Sequence, residues 1–201
     1  MPRELSISRP QPSLRREDEA ACIERVRAGD ERAFEKLFHT YYEPLCRFVQ
    51  GYVASHDAAE EVVQSTFIRI WENRTTWFVR NGLKPYLFQA ARNAALNHLK
   101  HERVKRGFAE RVLRTTTGAQ PGSGQPDPGP ERNLDGREFA AAVATALAKL
   151  PHHYRDVVQL RASEQMTHAE IARVLDLPVK TVETRARRGL QTLRKLLASV
   201  L

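Results

Sequence analysis

THAEIARVLDLPVKTVETRARRGLQTLRKLL, residues 167–197, reads as two helices joined by a tight turn. Thr167 and Glu170 have the spacing at which hydroxyl and carboxylate satisfy the free N–H groups of a helix start. Ile171, Val174 and Leu175 give that helix one apolar side. Asp176-Leu177-Pro178 ends it, and Pro178 suits the first position of a new helix, where no amide donor is needed. In the second helix Val182, Ala186, Leu190, Leu193 and Leu197 fall on one stripe. Lys180, Thr184, Arg187, Arg188, Gln191 and Lys195 point away from it. A short helix, a sharp turn and a basic second helix are the arrangement that sets side chains in a DNA major groove.

The charge distribution supports a polyanionic partner. The chain has 201 residues, 28% of them charged, with a net charge of +8. Seven Lys/Arg against two Glu between residues 92 and 114 give +5. Six against one between 180 and 195 give another +5, which leaves −2 for the remainder. Two basic blocks on a near-neutral body suggest two contact points on one polyanion. Cys22 and Cys46 have no metal-ligand spacing and read as reduced thiols in helical cores. No apolar run reaches the ~18 residues of a membrane span, and the N-terminus lacks a signal peptide's apolar stretch. Membrane insertion is not expected, and the expected location is cytoplasmic.

Outward from the opening stretch, periodicity is helical throughout and the expected fold class is all-α. Residues 1–17 read as a disordered tail and 18–108 as an N-terminal helical bundle. Residues 109–133, rich in Gly, Pro, Ser and Gln, read as a flexible linker, and 134–201 as a four-helix domain containing the helix-turn-helix. Within the bundle, a short helix ends at Gly29-Asp30, and Asp30 can cap the next. Pro44 is expected to interrupt or kink that second helix. Asp57 and Glu60 suggest an N-cap for a third, 57–73, with Val63, Phe67, Ile70 and Trp71 inward. Residues 74–82 form a loop with two aromatics and two arginines. A fourth helix, from about 83 to 106, has Tyr86, Leu87, Ala90, Ala94, Leu96 and Leu99 as its apolar positions. In the C-terminal part, Phe139, Val143, Ala146, Leu147 and Leu150 mark a helix stopped at Pro151.

Enzymatic chemistry has little support. There is no Gly-rich phosphate loop, GxSxG or HExxH. Adjacent side chains of His152 and His153 would diverge by about 100° on a helix. No cofactor and no metal is expected. Nucleic-acid binding has two signals of different kinds. The basic second helix suits duplex DNA, through base edges and phosphates. Around residues 74–106, Trp77, Phe78, Tyr86 and Phe88 are interleaved with Arg, Lys, Asn and His, a pattern suited to opened strands. Bases stack on aromatic faces at ~1–3 kcal/mol each while cations follow the backbone.

DAAEEVVQSTFIRIWENR followed by KPYLFQAARNAALNHLKHERVKR resembles region two of bacterial sigma factors. ALAKLPHHYRDVVQLRASEQMTHAEIARVLDLPVKTVETRARRGLQTLRKLL resembles their region four. With only a linker between them, the two resemble the extracytoplasmic-function (ECF) group. The resemblance implies a non-enzymatic specificity subunit of RNA polymerase. In it, Glu61, Gln64, Ser65, Ile68 and Trp71 would dock on the clamp helices of the largest core subunit. Ser65 departs from the usual pattern, in which an acidic residue follows the Gln. Trp77, Phe78, Asn81, Lys84, Arg92, Asn93, Asn97, Lys100 and Arg103 match the part that recognises and melts the minus-ten element. Lys180, Thr181, Glu183, Thr184, Arg187 and Arg188 match the minus-thirty-five reader. Glu183, where many relatives carry a basic residue, either accepts from a cytosine amino group or sits beside the groove. Promoter DNA, duplex and single-stranded, and core polymerase are thus the implied partners. An anti-sigma factor is a further one, although no residue singles it out. The competing reading is a stand-alone helix-turn-helix regulator with an N-terminal dimerisation or sensor module.

Overall fold

The computed structural model describes residues 16–53, 55–114 and 134–198, with side chains for 18–53, 55–105 and 142–198. The expected tail (apart from the start of the first helix), most of the expected linker and the Phe139 side chain lie outside the described residues. Among those described there are eight α-helices, one 3-10 turn and no strand. The helices are α1 (Arg16–Arg27), α2 (Glu31–Val49), α3 (His56–Glu72), α4 (Leu83–Arg114), α5 (Leu134–Lys149), α6 (His152–Ala162), α7 (His168–Leu175) and α8 (Val179–Ala198).

Local chemistry explains most of these boundaries. Gly29, at φ +86°, turns the chain after α1, and the Asp30 carboxylate accepts from the Ala33 amide at 3.1 Å to start α2. Arg25 donates to the other Asp30 oxygen at 2.8 Å, which is the main reason that carboxyl titrates below its usual range. Pro44 does not end α2. The helix runs on to Val49, because Pro44 lies in its buried face beside Tyr41, Leu45 and Phe48, and that packing offsets the lost backbone bond. The cap of α3 is Ser55, whose hydroxyl accepts from the Ala58 amide at 3.2 Å. Asp57 instead lies inside the first turn. Helix α4 extends to Arg114, past both the expected helix end at 106 and the expected domain boundary at 108.

Helices α1 to α4 form the N-terminal bundle, with Leu37, Leu45, Phe48, Phe67, Leu87 and Phe88 fully buried. Full burial of such a side chain contributes about 1.5–3 kcal/mol. Cys22 and Cys46 are buried there as free thiols. Burial pushes the Cys46 thiol up to about 11, so it is protonated and inert at neutral pH. The buried stripe of α4 is Leu83, Leu87, Phe88, Ala91 and Ala95, turned from the expected one. Leu96 is exposed, and Tyr86, Ala90, Ala94 and Leu99 are half-buried. The physical reason is that α4 is covered from two sides, by α2 and α3 and, from the C-terminal half, by α7. One apolar core therefore runs from Val26 through the bundle into Leu160, Met166, Ile171 and Val182.

Candidate nucleic-acid interface

The helix-turn-helix forms as its sequence dictates. The Thr167 hydroxyl accepts from the Glu170 amide at 3.2 Å, and Glu170 accepts from the Thr167 amide at 2.8 Å. Asp176 takes the left-handed conformation at φ 54° that closes α7, and the Leu177 amide returns to the Ala172 carbonyl at 2.9 Å. Pro178 stands just outside α8, its carbonyl accepting from Thr181 and Val182. Along α8, Val182, Ala186 and Gly189 face inward. Leu190, expected in that stripe, is 44% exposed. Gly189 takes the inward position because α6 approaches closely. A Cβ there would lie 2.8 Å from Val158 Cγ2 and 3.2 Å from Tyr154 Cβ.

The opposite face of α8 is open. Lys180, Glu183, Arg187 and Arg188 are exposed, and Thr181 and Thr184 are half-buried. Thr184 donates its hydroxyl to the Lys180 carbonyl at 2.9 Å. A shallow groove of about 550 Å³ is lined by Lys180, Thr184 and Arg188 together with Arg185 and His153. Neither of these last two is among the residues expected to read duplex DNA. Arg185 follows Thr184 directly and was legible as a basic neighbour, whereas His153 reaches the groove only because α6 packs on α8.

The surface built from the 74–82 loop and α4 divides the nine residues assigned to it. Trp77 is 4% exposed and belongs to the core, its ring centroid 6.0 Å from that of Tyr86. It is therefore no exposed stacking platform in this structure. Phe78, 64% exposed and with the Arg80 guanidinium 5.7 Å from its ring centre, is the loop's accessible aromatic. Phe88 is fully buried and Tyr86 half-buried. The loop ends at Gly82, at φ +92°, and the Leu83 amide that opens α4 donates to Glu19 of α1 at 3.1 Å. Asn93 and Asn97 are exposed and line a groove of about 440 Å³ between α3 and α4, with Arg69, Asn73 and Gln89. The buried Trp77 Nε1 has no hydrogen-bond partner and also borders this groove. Asn81, Lys100 and Arg103 are exposed. Lys84 Nζ donates to the Glu164 carbonyl of the α6–α7 corner at 2.6 Å, and Arg92 is half-buried beside Tyr52.

On α3, Glu61, Gln64, Ser65 and Ile68 occur at helical spacing on one exposed face. Ile68 is 57% exposed among polar neighbours. Gln64 donates to the Tyr42 hydroxyl at 3.2 Å, which fixes one polar group of the face. Trp71 is half-buried, its ring centroid 4.8 Å from that of Phe34 at a 44° tilt, and is covered by the Arg74 guanidinium at 4.4 Å. Among the described residues no helix is long and apolar enough to cross a membrane, and no three His, Cys, Asp or Glu gather as a metal site.

These features define an all-α protein with one basic helix-turn-helix and one aromatic-polar surface on its N-terminal bundle. Family models match both heads in order. Sigma-70 region 2 matches residues 37–104, and Sigma-70 region 4 matches residues 140–193. The chain is 26% identical over 177 residues to the ECF RNA polymerase sigma factor SigW of Bacillus subtilis (strain 168), covering 87% of this chain and 94% of that one. It is 29% identical to RNA polymerase sigma factor CarQ of Myxococcus xanthus, covering 89% and 97%. Among solved structures, CnrH in complex with the cytosolic domain of CnrY superposes with a TM-score of 0.62, at 24% identity, over 90% of this chain and 97% of that one. That last likeness is one of fold. The chain belongs to the sigma-70 family, in its extracytoplasmic-function group.

Proposed function

We propose that this chain is an alternative sigma factor, a non-enzymatic subunit that joins core RNA polymerase and directs it to particular promoters. The observation that carries this reading is the order of the two heads: region 2 and region 4 occur on one chain, each with an exposed face suited to its role. Glu61, Gln64, Ser65 and Ile68 present an acidic and apolar strip to the clamp helices of the core's largest subunit, with Trp71 at its edge. The exposed face of α8 grips the minus-thirty-five duplex through Lys180, Thr181, Glu183, Thr184, Arg187 and Arg188. Phe78 and the groove bordered by Asn93 and Asn97 take the unpaired minus-ten strand, with Asn81, Lys84, Arg92, Lys100 and Arg103 along its backbone and Trp77 bracing the loop from beneath. Melting is driven by capture of exposed bases and by core contacts. The protein acts in the cytoplasm, where its polymerase is, and an anti-sigma protein is the class of partner that would hold it in check.

The test is run-off transcription by core polymerase with the purified chain, on promoters selected from a random library with the same holoenzyme. Specific transcripts are expected, and none on any selected promoter would overturn the reading. Glu61→Arg should weaken core binding at least tenfold while leaving duplex binding by the free chain unchanged. Arg188→Ala should weaken minus-thirty-five binding by ~1–3 kcal/mol if it pairs with a base edge.

A further inference from the structure

His152 and His153 are adjacent at the start of α6, and the helix sends them to different sides. His152 Nδ1 lies 3.1 Å from Asp156, and its ring meets that of Tyr52. Successive side chains on a helix diverge by about 100°, and His153 instead borders the groove of about 550 Å³ against α8. Its ring centroid is 4.1 Å from that of Tyr154, at a 57° tilt. Tyr154 is held in turn by the close approach of α6 to α8, where a Cβ on Gly189 would lie 3.2 Å from the Tyr154 Cβ. The His153 ring is exposed and open to a ligand in the groove.

The groove carries one sign of charge. Lys180, Arg185 and Arg188 supply permanent cations, and among the described residues no Asp or Glu lines it. Nor, among the described residues, does any carboxylate lie within ion-pair distance of those three. On α6 itself, Asp156 is taken by Tyr52 and His152, and Arg155 donates to the Ala148 and Leu150 carbonyls. His153 therefore faces cations from α8 and no acid from either helix. A concave surface of one sign focuses an oppositely charged ligand. Position says which part of a duplex that ligand is. A helix about 10–12 Å across fills a major groove about 12 Å wide. A side chain on the neighbouring helix, whose axis lies about 8–10 Å away, meets the rim of that groove, where the phosphates are, and not the base edges.

We propose, building on the sigma-factor reading, that His153 and Arg185 complete a phosphate seat with Lys180 and Arg188, and that duplex binding by α8 is coupled to protonation of His153. The seat takes a backbone phosphate at the rim of the major groove. A seated phosphate accepts a charge-assisted bond from the imidazolium, stronger than any that a neutral ring offers. Protonation and binding therefore favour each other. Affinity rises as pH falls through the range, about pH 8 to 5, in which imidazoles change charge.

Fluorescence anisotropy of the full chain on labelled duplexes tests this, with wild type, His153→Gln and His153→Lys compared at pH 6 and pH 8. The probes are a minus-thirty-five duplex selected with the holoenzyme and a scrambled duplex of the same length. Wild type should bind both about fivefold more tightly at pH 6 than at pH 8, the difference between a charge-assisted and a neutral hydrogen bond. His153→Gln should lose most of that gain on both duplexes. Its salt slope at pH 6 should be shallower by about 0.9, the share of one phosphate contact. His153→Lys, charged at both pH values, should bind at pH 8 as tightly as wild type does at pH 6. Loss of a purely structural contact would not produce that rescue or the change in salt slope. A His153→Gln protein with the wild-type pH response and salt slope, or with a loss confined to the selected duplex, overturns the seat. So does a wild type that binds neither duplex at pH 6. If holoenzyme made with the wild type yields no transcript, the sigma-factor reading fails, and the scrambled duplex still decides the seat.

Discussion

The hydroxyl of Tyr52 donates to one oxygen of Asp156 at 2.8 Å, across 104 positions of sequence, while His152 Nδ1 lies 3.1 Å from the other oxygen. The His152 ring also meets the Tyr52 ring edge-on at 4.6 Å. The hydrogen bond to Asp156 raises the His152 pKa above its ordinary value, with burial and Arg155 opposing. Tyr52 is pushed far above neutrality by burial and by Asp156, and so stays protonated. Because the folded pKa of His152 is raised, its contribution to stability is complete below the unfolded value of about 6.5. That contribution fades as pH rises through the folded value. The melting-temperature gap between wild type and His152→Ala should be widest near pH 5.5 and narrow toward pH 8. What remains at high pH reports the contacts of the neutral ring. A gap that stays flat or widens with pH would contradict the assignment.

Gly189 fixes how closely α8 approaches α6. Alanine has the better helix propensity by about 1 kcal/mol, yet here its Cβ would lie within 2.8 Å of Val158, a stiff, buried, branched side chain. Overpacking typically costs about 1–3 kcal/mol. Gly189→Ala should therefore lower the melting temperature by several degrees and weaken duplex binding as α8 shifts. A variant that melts at or above the wild type would show that the two helices can part without cost.

Two caps can be weighed by substitution. Thr167→Ala removes half of a reciprocal capping box and should cost about 1 kcal/mol. Ser55→Ala should cost a similar amount, and more than Asp57→Asn, since Ser55 accepts the Ala58 amide and Asp57 contributes only its charge to the first turn. Chemical denaturation of the three variants checks the order. A larger loss at Asp57 would return the cap to that residue.

Trp77 and Phe78 are neighbours with opposite duties. Trp77→Ala empties a buried site and should cost about 3–5 kcal/mol of stability. Phe78→Ala removes an exposed ring and should leave the melting temperature within a degree or so while reducing promoter opening about tenfold. Permanganate footprinting of unpaired thymines on a selected promoter reads the second effect. Normal opening by Phe78→Ala would remove the ring from the proposed strand-binding surface.

Much of this molecule is local, and what is local was written in the sequence. The Thr167–Glu170 box, the break at Asp176, the Asp30 cap and the inward positions of Val63, Phe67 and Ile70 depend on residues within a few positions of one another. Periodicity and capping chemistry suffice for those. The exposed basic face of α8 was legible for the same reason, since solvent needs no partner. The inward stripe of α4, the burial of Trp77, the place of Gly189 and the capping of α4 by Glu19 were not legible. Each depends on which helix arrives from far along the chain. The same holds for Lys84. By sequence it is a cation beside an aromatic loop, free to meet phosphate. Tertiary structure gives it to Glu164, 80 positions away, because α7 needs an apolar surface and α4 has one to spare. Sequence alone determined the all-α class, most helix boundaries and the exposed basic face of α8. Only the packing of α7 on α4 decided that Lys84 meets Glu164.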